Sequence, residues 1–281
     1  MLCGLNGMGD GVGLPMVRSV RHWVANRGWL GMFAEVFRQM KLRWSSRGKD
    51  PSGRAGASRG LEVHPFDSRY GVDTGGLIWG QELRSGEKGE YWATGYYGIS
   101  PSFFEQALDR LGLEWQKYTF LDVGCGKGRA LMLALRYPFR RIVGVELSPE
   151  LVRVANNNLG CFQAEWRKDV SATAFAGDAT RFDLPGGPLL VYLYHPFAAP
   201  VMREFLKHLE TSLGREPRAV YVMYVNPELD RLLERTPFLE KMTRDCLPMT
   251  EEDIAADRFG SREEHMSVYR ARPVCRAQLV R

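Results

Sequence analysis

Short apolar runs alternate with helix-like stretches along the second half of the chain. The β-prone runs lie at residues 118–123, 141–146, 172–176, 189–194, 219–225 and 266–271. The run at 189–194 is continuously apolar, as expected of a strand that is covered on both faces. Strands that alternate with helices in this way predict an α/β fold built on a doubly wound, mostly parallel sheet.

Two of the helices carry clear sequence signals. Ser100 and Pro101 fit an N-cap and a first-turn proline, and Ser102 with Glu105 fits a capping box. Gly112 is a suitable residue for the C-terminal end of that helix. The second helix follows the run at 189–194 and places four apolar residues on one face: Val201, Phe205, Leu209 and Leu213.

The first 60 residues differ in charge from the rest of the chain. Residues 1–60 hold ten Lys/Arg and three Asp/Glu, a net charge of +7, whereas residues 61–281 hold twenty-eight and thirty, a net charge of −2. We therefore predict a basic N-terminal extension at 1–60 and a main domain at 61–281. Because the main domain is close to neutral, a general nucleic-acid-binding surface is not favoured.

The extension has two parts. Residues 15–44 mix apolar and basic side chains with the spacing of one or two amphipathic helices, which could lie on a membrane surface, contact an anionic partner or pack on the main domain. Residues 45–60 are rich in Gly, Ser and charged residues and predict a flexible linker. Oligomeric state is not indicated by any of these patterns.

The number and spacing of the cysteines and the hydropathy pattern indicate the cellular compartment of the protein. Five cysteines occur, without a Cys-x-x-Cys pair, which favours a reducing compartment and argues against a structural metal or a disulfide framework. No apolar run approaches the length of a membrane-spanning helix, and the N-terminus lacks the order of a signal peptide. These patterns predict a cytoplasmic protein with no metal site.

An aromatic and glycine-rich segment at residues 61–99 precedes the first strand of the main alternation. It contains Tyr91, Trp92, Tyr96 and Tyr97 among several glycines. Such a segment can form a lid or wall for a substrate, or an irregular strap over hydrophobic surface. The sequence leaves both interpretations open.

The strongest chemical signal is the turn after the run at 118–123. It reads Asp122-x-Gly124-x-Gly126-x-Gly128 and leads into an apolar helical stretch that ends before Pro138. Glycines allow a left-handed turn and close approach of a ligand, and the turn presents backbone N–H groups. A nicotinamide fingerprint requires a third glycine where Arg129 stands, which disfavours an oxidoreductase.

Other polar residues follow the predicted strands at their carboxyl ends. Glu146 ends the second strand, Asp178 follows the third, and Tyr194-His195-Pro196-Phe197 follows the fourth. Ligands of doubly wound sheets bind outside the carboxyl ends of the strands, and an acidic residue about twenty residues after the turn typically binds ribose hydroxyls. The sequence therefore predicts that all these groups meet along one rim.

The glycine turn resembles motif I of the class I S-adenosyl-L-methionine (SAM) dependent methyltransferases, and the resemblance extends over residues 95–272. It implies a seven-stranded sheet with an antiparallel last strand, and SAM as the cofactor. It further implies that Asp122 and the turn, with Gly124, Gly126 and Gly128, hold the amino-acid moiety. Cys125, inside the turn, is expected to contact the cofactor as a small loop residue rather than to act as a nucleophile. The resemblance also implies that Glu146 binds the ribose and Asp178 the adenine.

The residues after the fourth predicted strand suggest the acceptor. Tyr194, His195, Pro196 and Phe197 are similar to the Asn/Asp-Pro-Pro-Tyr/Phe segment of amine N-methyltransferases, with His195 in the polar position. They are our candidate catalytic residues, with His195 a general base or a polar rim residue. The resemblance favours methylation of a nitrogen on a protein or small molecule. The rim also looks broadly similar to that of the non-SET lysine methyltransferases.

A non-catalytic alternative is also consistent with the sequence. A SAM-fold domain can serve as a scaffold, and the basic helices predicted at 15–44 could give it a peripheral membrane or anionic partner. A nicotinamide-dependent oxidoreductase is the least favoured interpretation of the glycine turn.

Overall fold

A computed structural model of the chain describes residues 63–79, 92–257 and 261–272. The predicted N-terminal extension at 1–60, including the amphipathic helices at 15–44 and the linker at 45–60, lies outside the described residues. So do parts of the aromatic segment at 61–99.

The described strands form a two-stranded and a seven-stranded sheet. In chain order the strands are β1 (Leu77–Trp79), β2 (Gly95–Tyr97), β3 (Thr119–Val123), β4 (Arg141–Glu146), β5 (Ala172–Ala176), β6 (Leu189–Tyr194), β7 (Val220–Val225), β8 (Leu239–Pro248) and β9 (Glu263–Ala271). The large sheet has the order β5-β4-β3-β6-β7-β9-β8. Its first five members pair in parallel, whereas β9 is antiparallel to both β7 and β8. This order confirms the predicted doubly wound, mostly parallel, seven-stranded sheet.

Strand β8 is the one member of the large sheet that the sequence analysis missed. It is an edge strand, and many of its side chains are exposed or only partly buried. Its pairing with β9 also shifts register between Lys241 and Thr243. A polar, irregular edge strand lacks the alternating apolar signal from which strands are predicted.

The helices flank the sheet as expected of the fold. They are α1 (Pro65–Tyr70), α2 (Pro101–Leu111), α3 (Arg129–Ala134), α4 (Pro149–Cys161), α5 (Ala199–Arg215), α6 (Asp230–Glu234) and α7 (Glu251–Ala256). Helix α5 buries the predicted apolar face, with Phe205, Leu209 and Leu213 at most 2% exposed. Within the described part of the chain, every helix is too short or too polar to cross a bilayer.

The N-terminus of α2 differs in detail from the prediction. Ser100 is the N-cap and Gly112 ends the helix in the left-handed conformation, but no side-chain bond of a capping box forms. Instead Asp253 of α7 accepts hydrogen bonds from the Ser100 hydroxyl at 2.7 Å and the Ser102 backbone N–H at 2.8 Å. A tertiary contact therefore caps this helix.

The two faces of the sheet bury different residue sets, because neighbouring side chains along a strand point in opposite directions. One face packs Phe120, Tyr192, Met223, Met266 and Val268 beneath helices α2, α3 and α4. The other packs a second set around α5: Leu121, Val191, Tyr224 and Tyr269. This alternation decides which polar residues can reach a common cavity.

Candidate active site

A cavity opens at the carboxyl ends of β3, β4, β5 and β6. Of the predicted site residues, Asp122, Gly124, Cys125, Glu146, Asp178, Tyr194, Pro196 and Phe197 line it. Gly126 and Gly128 belong to the same turn without lining the cavity, and His195 also lies outside the lining. The structure thus brings most of the predicted residues together at one rim.

The glycine turn requires glycine for two separate reasons. Gly124 and Gly126 have φ values of +80° and +52°, in the region that L side chains rarely adopt. A Cβ on Gly124 would lie 2.7 Å from the Pro196 side chain, and one on Gly126 would lie 2.1 Å from the ring of Tyr96. The turn therefore sits directly against both the segment after β6 and strand β2.

The described parts of the aromatic segment form a strap over this turn. The Tyr96 hydroxyl donates to the Thr74 carbonyl at 2.6 Å, and Arg129 at the start of α3 reaches the same carbonyl. The Arg129 guanidinium also donates to the Thr74 hydroxyl at 2.7 Å and to the Ile99 carbonyl at 3.1 Å. Arg129 is only 3% exposed. Arg129, which replaces the third fingerprint glycine, thus holds Thr74 and Ile99 against the turn.

Glu146 is held in place by backbone donors. Its Oε2 accepts a hydrogen bond from the Gly126 N–H and its Oε1 one from the Ser148 N–H, both at 3.0 Å. Burial raises the pKa of this carboxyl, while these backbone bonds act in the opposite direction. A carboxylate oxygen can accept more than one hydrogen bond. Glu146 therefore lines the cavity with acceptor capacity left for a ligand.

Asp122 and Cys125 are deeply buried ionisable groups of the rim, 3% and 5% exposed. Burial raises the pKa of Asp122 well above its ordinary value, and the neighbouring Glu146 raises it further. Burial also raises the pKa of the Cys125 thiol, and its sulfur lies beneath the backbone of Gly144. A thiol with a raised pKa is a weak nucleophile, in agreement with the expected role of a small loop residue.

Asp178 lines the far end of the cavity and shapes the turn that follows β5. Its Oδ1 accepts hydrogen bonds from the Thr180 N–H and the Thr180 hydroxyl, both at 2.8 Å. The carboxylate is thereby fixed in the cavity wall next to Ala179. This end of the cavity can accept a hydrogen bond from a polar planar ligand.

His195 does not share the position of its neighbours, and the prediction that placed all four residues together needs correction. Its Nδ1 lies 2.6 Å from the Tyr224 hydroxyl and its Nε2 lies 3.5 Å from a Glu228 carboxylate oxygen. Tyr224 belongs to the opposite face of the sheet. His195 directly follows the last residue of β6 and has a φ of +39°, so the alternation of the strand does not extend to its side chain.

The sequence analysis missed two functional candidates, Tyr192 and Glu264. Tyr192 lines the cavity although it is only 1% exposed, and the Tyr194 hydroxyl donates to Glu264 Oε1 at 2.7 Å. Glu264 lies on β9 two residues before the buried Met266, so it shares that residue's face. The sequence signal that could have revealed Glu264 is an acidic residue at a strand position where alternation predicts an apolar one.

A separate group of metal-ligating residue types lies outside the cavity. The ligand atoms of Cys246, Glu263 and His265 come within 4.8 Å of one another on the exposed face of β8 and β9. The three side chains are exposed and none of them lines the cavity. They do not take part in the arrangement at the rim.

Comparison with known proteins gives a family match and several structural similarities. Residues 120–213 match the model of a methyltransferase domain. No curated protein gives a significant sequence match.

Three solved structures resemble part of this chain. The glycopeptide N-methyltransferase MtfA with SAM is 14% identical, with 63% of this chain and 96% of that chain covered and a TM-score of 0.47. The methyltransferase domain of bacterial CtHen1 is 20% identical, with 59% and 96% covered and a TM-score of 0.41. Thermoplasma acidophilum 1320 is 12% identical, with 62% and 84% covered and a TM-score of 0.42.

The strand order, the glycine turn and the matched domain model define the class of the molecule. It has the class I methyltransferase fold. The chain contains a methyltransferase domain, which the matched model places at residues 120–213.

Proposed function

We propose that the cavity at the rim binds SAM and that the enzyme transfers the methyl group to a nitrogen of a protein or small molecule. The observation that carries this proposal is the meeting of Asp122, the glycine turn, Glu146 and Asp178 around one cavity. In the proposed pose the turn faces the amino-acid moiety, Glu146 accepts from the ribose hydroxyls, and Asp178 accepts from the adenine amine.

The electrostatics of the cavity fit this cofactor. SAM carries a sulfonium and an ammonium group against one carboxylate, so it is a net cation. Asp122 and Glu146 are two buried acids whose pKa values are raised, chiefly by burial. A bound cation would favour their ionised forms. The backbone bonds that fix Glu146 also keep its remaining lone pairs available to hydroxyl donors.

The chemistry requires alignment more than covalent participation by the protein. SAM supplies a methyl group that is already activated by its positive sulfur. The residues of this chain bind and orient the two reactants, and burial beneath the Tyr96 strap excludes water. Alignment of this kind can account for a large part of an enzymatic rate enhancement.

Aromatic residues on the acceptor side support a nitrogen acceptor. Tyr97, Tyr194 and Phe197 line the cavity beside Pro196. Rings of this kind stabilise a developing ammonium by cation–π contact. The net charge of −2 over residues 61–281 also suits a neutral or cationic acceptor better than a polyanion.

Two measurements test the proposal in sequence. Calorimetry should detect binding of SAM and S-adenosylhomocysteine and no binding of NAD. Binding of NAD without binding of SAM would contradict the proposal that the cavity binds SAM. Tritium from methyl-labelled SAM should then appear on nitrogen in the protein or small-molecule fraction of a host-cell lysate. SAM binding without any transfer would favour the scaffold alternative, and label on nucleic acid, oxygen or carbon would contradict a nitrogen acceptor.

A further inference from the structure

A row of polar groups crosses the buried face of the sheet. It runs from the cofactor side of the cavity, where the glycine turn and Glu146 lie, to β9. Asp122, Tyr192, Tyr194 and Glu264 are in phase with the apolar residues of that face. Asp122 and Tyr192 are register partners on neighbouring strands. The row therefore connects the proposed methyl donor to the region beyond β6.

Two atoms of this row are buried without a partner. Among the described residues, neither the Tyr192 hydroxyl nor Glu264 Oε2 has a hydrogen-bond partner. A buried polar atom left unsatisfied is energetically costly, so such atoms are rare in native proteins. Tyr192 lines the cavity, so a ligand there can satisfy its hydroxyl.

The surroundings specify what kind of ligand fits. The groups that face Glu264 from packed elements are Tyr192 and Tyr194 of β6 and Asp257 just after α7. Tyr97 donates to Asp257 at 2.7 Å and also lines the cavity. This wall consists of phenol rings backed by two carboxyls. It suits a cation with several N–H donors, because phenol oxygens accept hydrogen bonds and rings attract positive charge.

From this arrangement, and resting on the proposed function, we propose that the acceptor is a primary or secondary amine that enters as an ammonium ion beside Tyr192 and Tyr194. Glu264 is the base that removes its proton, with the Tyr194 hydroxyl as the relay. Glu264 itself does not line the cavity, whereas Tyr194 does and donates to Glu264 Oε1 at 2.7 Å.

Proton transfer precedes methyl transfer. The ammonium gives one proton to the Tyr194 oxygen while the Tyr194 proton passes to the Glu264 carboxylate, which becomes neutral. The nitrogen lone pair then forms a bond to the methyl carbon as the carbon–sulfur bond breaks. The products are a methylated ammonium and a neutral thioether, and Glu264 returns its proton to solvent after product release.

The acidity of Glu264 suits this role. Burial raises its pKa to about 7, the hydrogen bond from Tyr194 acts in the opposite direction, and Asp257 raises it further. A base is most effective when its pKa lies near the working pH. By contrast, both oxygens of Glu146 accept backbone N–H bonds, so that residue is less suited to exchange a proton.

The test compares Glu264→Gln and Tyr194→Phe with the wild type and with Glu240→Gln as a matched control. Glu240 lies on the same β8–β9 hairpin, is 40% exposed and pairs with Arg270 outside the cavity. Label transfer from tritiated SAM into the lysate fraction that accepts it is measured from pH 6 to 10, alongside SAM affinity by calorimetry. We expect the first two variants to bind SAM normally and to lose roughly a hundredfold in transfer rate at neutral pH.

The pH profile separates a proton-transfer role from a structural one. Wild-type transfer should fall as the pH drops through about 7, where Glu264 becomes protonated. In Glu264→Gln only the neutral amine can react, so transfer should rise about tenfold per pH unit toward the pKa of the free amine, near 10 for a lysine-like group. Glu240→Gln should retain the wild-type profile.

The outcomes also separate this inference from the function on which it rests. Label on an amide nitrogen, or wild-type rate and profile in Glu264→Gln, would overturn the assignment of Glu264 while leaving nitrogen methylation in place. Failure of the wild type to bind SAM, or transfer to no acceptor at all, would overturn both.

Discussion

Glu146 lines the cavity, whereas Glu264 lies behind the cavity wall and is linked to it through the Tyr194 hydroxyl, and the surroundings of the two carboxyl groups differ. Both oxygens of Glu146 accept backbone N–H bonds, from Gly126 and Ser148. Glu264 accepts one bond from Tyr194, and its Oε2 has no partner among the described residues. Burial raises the pKa of each.

This difference shows how one fold can support two roles for the same residue type. Backbone donors fix the position of Glu146 and favour its ionised form against the effect of burial, which suits the proposed binding of ribose hydroxyls. A carboxyl with one side-chain donor and an acidic neighbour, such as Glu264 beside Asp257, can take up a proton. In the proposed assignment, backbone bonds therefore hold the cofactor side, and the acceptor side carries a carboxyl that can exchange a proton.

We expect the largest effect on stability and SAM affinity from a substitution in the glycine turn of the cofactor side. In Gly126→Ala the new Cβ would lie 2.1 Å from the Tyr96 ring at a φ of +52°. We expect the free energy of unfolding to fall by about 1–3 kcal/mol from overpacking. Because the turn itself is displaced, SAM binding should weaken more than it does on loss of the Glu146 side chain. Chemical denaturation and calorimetry measure the two effects.

Gly160→Ala is the matched control for that variant. Gly160 lies in helix α4, and a Cβ there would meet nothing within 4 Å. Alanine in a helix is favoured over glycine by about 0.5–1 kcal/mol, so this variant should be as stable as the wild type or more so. Equal stability of Gly126→Ala and Gly160→Ala would show that the strap does not press on the turn.

The cofactor side could be predicted from sequence because its signals are local. The motif at Asp122–Gly128 is contiguous, and Glu146 and Asp178 each end an apolar strand. Parallel strands place their carboxyl ends at one edge, so the rim follows once the strands are recognised. The antiparallel β9 also has an alternating pattern that reveals it.

The acceptor side could be predicted only in part: Tyr194, Pro196 and Phe197 were found from their place after β6, but Glu264 depends on pairing between distant segments. Glu264 reaches Tyr194 only because β9 inserts between β7 and the polar edge strand β8. His195 was placed at the rim by its neighbours in sequence, but its side chain belongs to the opposite face. The role of Arg129 as an anchor for Thr74 likewise requires the fold of the strap.

A smaller effect is expected from Glu146→Ala, which removes the proposed ribose contacts. A charge-assisted bond is worth about 1.5–3 kcal/mol, so SAM affinity should fall roughly tenfold to a hundredfold. Glu150→Ala, at an exposed position at the start of α4, is the matched control. Calorimetric affinity unchanged in a folded Glu146→Ala protein would place the ribose elsewhere. The Glu264 variants should show no such loss of SAM affinity.

The smallest effect concerns Asp122, which lies on β3 between the two sides. Burial raises its pKa well above the ordinary value, with Glu146 adding to the shift, so without ligand it holds its proton to higher pH. A cationic cofactor favours the ionised form, so binding should release less than one proton and weaken as the pH falls. The slope cannot exceed about tenfold per pH unit for one group.

Calorimetry in two buffers of different ionisation enthalpy measures the proton release directly. Asp122→Asn should bind SAM with less proton release than the wild type, because the titrating carboxyl at the β3 end of the row is gone. Release that persists at the wild-type level would assign the linked proton to Glu146 instead. Proton uptake on binding would contradict a cationic ligand at this position, and with it the division of the cavity into a cofactor side and an acceptor side.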